Sequence, residues 1–213
     1  MPRSRIYAVI LGALLAAIGP VASLVAQPQQ GASGEVSLSA ETFAAGTPVD
    51  LSTVLWRFRE GDDPAWADPA FDDSAWALMD TDFQPDSLYP DVWQGLGWFR
   101  LHLRVDSSLH NTILALSIYQ LGASEIYLDG RYVGGFGVIG AAAEADRPYT
   151  PKGLPLTLSQ DDRDMHVLAV RYANRSVSSK AAATFRHNPY LPVGFAAVLG
   201  QNLTLVHSYV NGV

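Results

Sequence analysis

The run GWFRLHLRV (Gly97 to Val105) constrains this chain more than any other stretch. Apolar residues recur at every second position. Phe99, Leu101, Leu103 and Val105 share one parity, while Trp98, Arg100, His102 and Arg104 share the other. A strand sends successive side chains to opposite faces, so the first set is predicted to face a core and the second solvent, a groove or another layer. TILALSIY repeats the pattern with Leu114, Leu116 and Ile118, and SEIYLDG repeats it with Ile126 and Leu128. In MHVLAVRYA, Leu168, Val170 and Tyr172 point inward and Arg171 away. RYVGGFG reads as the return strand of a hairpin turning at Asp129-Gly130, where glycine supplies the positive φ of a two-residue turn. With Leu55-Trp56-Arg57-Phe58 at the start and GLPLTL, PVGFAAVLG and NLTLVHSYV later, the chain holds about eight to ten short strands. Such strands between Gly/Pro-rich turns predict an all-β fold, an antiparallel β-sandwich. Nothing between them is long and periodic enough for the crossover helices of a parallel α/β fold, and no internal repeat is read.

Three features stand in order along the chain. They are the acidic-aromatic loop GDDPAWADPAFDDSAW (Gly61 to Trp76), the strand opened by Trp98-Phe99-Arg100, and the strand closing on Asp129-Gly130. Together they resemble the galactose-binding-like jelly-roll domain, over roughly Pro48 to Val210. That domain stands at the front of family 2 glycoside hydrolases and on the outer face of bacterial seven-transmembrane-type sensor proteins. The resemblance implies a jelly roll in which Trp66, Phe71 and Trp76 pack onto the sheet and the Trp-Phe-Arg triplet starts a strand. It also likens PVGFAAVLG to the last strands of the sensor ectodomains. In the family 2 hydrolases the catalytic acids lie in a separate barrel domain, so the resemblance implies no catalysis in this one.

The N-terminus reads as an export signal. Arg3 and Arg5 precede the apolar run AVILGALLAAIGPVASLVA, and small residues at Ala22, Ser23 and Ala26 offer cleavage positions. Cleavage after Ala26 is the expectation, and an uncleaved membrane anchor is its rival, because the run is long enough to span a bilayer. The predicted organisation is a signal peptide over 1–26, a flexible linker over 27–46 with room for one short strand, and one sandwich domain over 47–213. A domain of that size buries a sizeable core without covalent staples, which matters because the chain has no cysteine. The expected location is periplasmic or secreted. Without Arg3 and Arg5, 12 of the 14 basic residues face 21 acidic ones, a formal charge of −9. A surface so acidic repels phosphate backbones and anionic lipid, so nucleic acid is not an expected partner.

No motif declares a reaction. GFGVIG (Gly135 to Gly140) matches the dinucleotide-binding pattern, but AAAEAD makes barely two helical turns before Arg147-Pro148. Its glycines are expected to let the strand bend and a neighbouring loop pass close. The five histidines (His102, His110, His166, His187 and His207) lack the close spacing of a zinc site, and no GxSxG elbow is present. Asp62, Asp63, Asp68, Asp72 and Asp73 are oxygen ligands of the kind calcium accepts, as is the Asp161-Asp162-Arg163-Asp164 turn. Neither has the regular alternation of a calcium loop, so no cofactor is expected, with structural calcium the alternative. What remains is binding. Tyr89, Trp93, Trp98 and Arg100 place aromatic faces beside a charged donor, a combination that suits a sugar ring. The rival reading packs Trp98 and Arg100 beneath the long loop. The expected function is a non-catalytic extracytoplasmic recognition domain for a carbohydrate or other small ligand. With the resemblance, it is the sensory front end of a membrane signalling protein, meeting a membrane only through an uncleaved signal or a missing C-terminal part. An accessory carbohydrate-binding module of an exported glycoside hydrolase is the alternative.

Overall fold

The computed structural model describes residues 28–31, 34–81, 93–175 and 194–201. The expected signal peptide and the strand NLTLVHSYV lie outside the described residues. Twelve strands are present there: β1 (Gln29–Gln30), β2 (Glu35–Leu38), β3 (Val49–Asp50), β4 (Trp56–Glu60), β5 (Ala77–Met79), β6 (Leu96–Val105), β7 (Ile113–Gln120), β8 (Ala123–Leu128), β9 (Arg131–Phe136), β10 (Leu156–Ser159), β11 (Met165–Ala173) and β12 (Phe195–Gly200). Helical structure among them is confined to short 3-10 turns. The larger sheet runs β1-β2-β6-β11-β8-β9, with β4 also paired to β6 and β5 to β4. The smaller runs β10-β7-β12-β3. The two stack into a β-sandwich, as the alternation requires and in keeping with the jelly-roll expectation.

The core lies between the sheets and is made of the residues whose parity marked them. Phe99, Leu101, Leu103 and Val105 on β6 are buried in one cluster with Leu114, Leu116 and Ile118 on β7. Ile126 and Leu128 on β8, Leu168, Val170 and Tyr172 on β11, and Phe195, Ala197 and Leu199 on β12 join them. The β8–β9 turn is the expected one: Asp129 and Gly130 both have positive φ, 51° and 78°, as a two-residue turn matched to the strand twist needs. In the GFGVIG stretch no helix of several turns follows, only a 3-10 turn over Ala143–Ala145. Gly137 has φ +81°, and the Arg147 carbonyl stands where its Cβ would be, so an antiparallel bridge between Val138 and Arg147 can close.

Two expectations need correction. The sheet is not wholly antiparallel, because β2 runs parallel to β6 from Glu35↔His102 to Leu38↔Val105. The reason is the length of β6. Its partner β4 reaches only from Gly97 to Arg100, and the rest of that edge would expose unpaired backbone groups. β2 fills that half. The Gln30 side chain closes the seam, donating to the Leu55 carbonyl at 2.7 Å and accepting from the Leu55 N–H at 2.9 Å. The second correction concerns the flexible linker. Its described part belongs to the sandwich: Val36, Leu38 and Phe43 are buried in the main core, and Ser39 and Thr42 form a capping box on the 3-10 turn Ala40–Gly46. Three apolar side chains among Gly, Ser and Ala are a weak compositional signal, yet two of them fall on one face of a strand.

Leu38 is therefore a core residue. Leu38→Ala is expected to cost about 2–5 kcal/mol, read as a lowered urea midpoint at unchanged slope; a neutral result would restore the linker reading.

Candidate functional site

The acidic-aromatic loop hides a five-residue repeat that the sequence reading did not find. Asp63-Pro64-Ala65-Trp66, Asp68-Pro69-Ala70-Phe71 and Asp73-Ser74-Ala75-Trp76 succeed one another at a constant interval. Each unit is one turn, closed by the aromatic N–H donating to the aspartate carbonyl at 3.0, 3.1 and 3.0 Å. Proline at the second place presets φ for such a turn, and the aspartate side chain caps it. Asp63 accepts from Ala65 N–H and Asp68 from Ala70 N–H, both at 2.9 Å. In the third unit the cap passes to Asp72, which accepts from Ser74 N–H at 3.0 Å. That exchange releases Asp73 to point inward. The three aromatics gather on the outer face of the larger sheet, with Trp66 and Trp76 5.2 Å apart and Trp66 6.5 Å from Trp98.

Arg100 ties this loop down. Its side chain is wholly buried. Nε donates to Asp73 Oδ2 at 2.6 Å, Nη1 to the carbonyls of Trp66 and of Asp68 (2.9 Å), and Nη2 to the Phe71 carbonyl at 3.5 Å. The planar guanidinium thus addresses all three turns from one point, which its fixed fork of donors permits. Asp73, 4% exposed, also receives His102 Nε2 at 2.9 Å and lies 3.3 Å from Arg57 Nε. Burial pushes the Asp73 carboxyl up, but hydrogen bonds from His102 and Arg100, together with their charges, outweigh it and hold the group below its usual value.

Of the four expected ligand residues, the three that are described do not come together at an open site. Trp93 lies in the core between the sheets, stacked on Tyr172 at 5.6 Å. Trp98 lies on the opposite face of the same sheet, beneath the loop, 5.4 Å from Tyr127. Arg100 holds the loop as described, and Tyr89 is outside the described residues. Trp93, Trp98 and Arg100 are all buried. For Trp98 and Arg100 the packing reading is the one the geometry follows. Parity distinguishes two faces of a strand but not whether the second is covered.

A similar arrangement fixes the hairpin tip. Asp129 accepts from the His166 ring at 2.7 Å, from Arg163 at 2.9 Å and from Val167 N–H at 2.9 Å. Burial raises its carboxyl, and the His166 and Val167 hydrogen bonds bring the net shift below the ordinary value. Among the described residues no group of three or more His, Asp or Glu side chains is placed to hold a metal ion.

Open space lies instead at one rim of the sandwich. A cleft of about 710 Å³ is lined by Gln29, Ser37, Glu41, Arg104, Asp106 and Asp164 among others, Ser107 included. It sits where β2 and β6 end together, because their parallel pairing brings the Leu38 and Val105 ends to one rim. Its lining is mixed, with Leu38 and Val105 set among the polar side chains. The Gln29 amide and the hydroxyls of Ser37 and Ser107 make no hydrogen bond to other described residues, so they are available to a ligand. Arg104 shares Arg100's parity in the sequence, and only the folded loop, which stops short of it, leaves it exposed.

No family model matches the chain, and no curated protein matches it. Among solved structures it is similar to a beta-glucuronidase of Bacteroides uniformis, with 20% identity and a TM-score of 0.47 over 72% of this chain and 18% of that one. A family 2 glycosyl hydrolase of Bacteroides cellulosilyticus gives 17% and 0.46 over 72% and 20%. A beta-galacturonidase of Eisenbergiella tayi gives 16% and 0.41 over 72% and 24%. The chain thus spans about a fifth of the length of these enzymes.

Two outcomes follow from the loop anchor. Arg100→Met leaves Asp73 buried without one of its charged partners and is expected to cost about 3–5 kcal/mol. Arg100→Lys should recover little, since one ammonium cannot reach all three turns; full recovery of the melting temperature would contradict the anchor. Because the folded Asp73 value lies below that of an ordinary aspartate, its contribution is complete above the ordinary value and is lost as pH falls through the lower folded one. Asp73→Asn should accordingly flatten the acid limb of the stability–pH profile relative to the parent.

Proposed function

We propose that this chain is a non-catalytic recognition domain outside the cytoplasmic membrane and that its ligand is a carbohydrate held in the rim cleft. The observation that carries the reading is the make-up of that cleft: hydroxyl, amide, guanidinium and carboxylate groups around a space of about 710 Å³. Its size falls within the ordinary range of small-ligand sites, and its supply of both donors and acceptors is what a polyhydroxylated molecule requires. The basic and apolar N-terminal run supports export. In this reading the domain is the sensory front of a membrane signalling protein. An accessory module of an exported glycoside hydrolase would use the same cleft and differ only in what is joined to it.

A thermal-shift screen of the purified chain against a glycan panel tests the proposal. A glycan at a hundred times its Kd should add about 2.7 kcal/mol of stability. Ser37→Trp, which fills the cleft from an exposed position, should abolish the shift and leave the unliganded melting temperature unchanged. Binding that survives that substitution, or no shift with any glycan, would refute the assignment.

A further inference from the structure

The charge balance of the rim cleft narrows the ligand class, on the premise that the cleft binds a sugar. Arg104 is its one guanidinium, and it is already engaged: Nε donates to Glu35 Oε1 at 2.5 Å and Nη2 to Glu35 Oε2 at 3.3 Å. The pair is set by the parallel register, which places Glu35 on β2 beside the β6 segment carrying Arg104. Around it stand three further carboxylates, Glu41, Asp106 and Asp164. Asp106 spends one oxygen on Ser108 N–H at 2.8 Å, and Asp164, largely exposed, faces His110 Nε2 at 3.2 Å. Among the described residues four carboxylates therefore outnumber one guanidinium and one imidazole, and the balance is negative.

We infer that the rim cleft selects neutral sugars and rejects uronates, with Glu35 as the residue that sets this preference by occupying Arg104. A uronate carboxylate entering the cleft meets Glu41, Asp106 and Asp164 and finds the charge of the Arg104 guanidinium already balanced by Glu35. A neutral sugar carries no charge to repel, and its hydroxyls can donate to the carboxylates and accept from Ser37, Ser107 and the Gln29 amide. Like-charge juxtaposition is a common source of selectivity, because it acts against the wrong partner without adding contacts to the right one.

Calorimetric titration of the purified chain with matched pairs, galactose against galacturonate and glucose against glucuronate oligosaccharides, reads the preference. The neutral member of a binding pair is expected to bind at least about tenfold more tightly at low salt, with the gap narrowing as added salt screens these exposed charges. Glu35→Gln frees the guanidinium and Asp164→Asn removes an exposed carboxylate, and each should reduce the gap by raising uronate affinity. Asp164→Asn keeps the test open should Glu35→Gln disturb β2. Equal affinity within a pair, tighter uronate binding, or a gap that neither substitution moves overturns the selectivity and leaves carbohydrate recognition standing. Failure of every glycan to bind overturns both.

Discussion

A single buried guanidinium organises the outer half of this domain. Removing a charge from water is costly unless its donors are met and its charge is balanced, and Arg100 is wholly buried. It is met by one carboxylate and three loop carbonyls. Only the loop's particular succession of turns supplies that set. The dependence is mutual, since the loop has little else to hold three carbonyls and a carboxylate toward one point. Trp66, Phe71 and Trp76 then roof the sheet over Trp98 and Ala169.

The pentad repeat explains how a short irregular segment does this. Turns spaced five residues apart return the aromatic to the same side each time, so three rings converge while Asp63, Asp68 and Asp72 cap the turns. The doubling at Asp72-Asp73, in the unit where Ser74 replaces proline, separates two duties that a single carboxylate could not perform. Asp72 closes the third turn, and Asp73 joins Arg57, Arg100 and His102 below.

The covered face also determines where a ligand has room. β6 is ten residues long, and the loop shelters its first half, so Arg100 is buried while Arg104, four residues on, stays exposed. Beyond the roof, β2 completes the sheet edge and ends beside Asp106 and Ser107, and the cleft opens there. Its walls come from segments distant in sequence, near 29, 37–42, 104–107 and 164. No local motif could announce such a site. Trp93, Trp98 and Arg100 looked like one because they are neighbours in sequence, whereas Trp93 lies in the core between the sheets and Trp98 and Arg100 lie on the opposite face beneath the loop.

Period-two alternation by itself determined the class of fold, the strands and nearly every core residue of β6, β7, β8 and β11. Asp129-Gly130 likewise determined its turn, because both properties are local: side-chain parity and backbone φ are decided within a few residues. The tertiary structure alone decided what covers the second face of each strand, that β2 joins β6 in parallel, and which arginine is enclosed and which is left free. Those outcomes depend on contacts between segments tens of residues apart, where desolvation and hydrogen-bond completion are settled jointly and no single stretch of chain carries the answer.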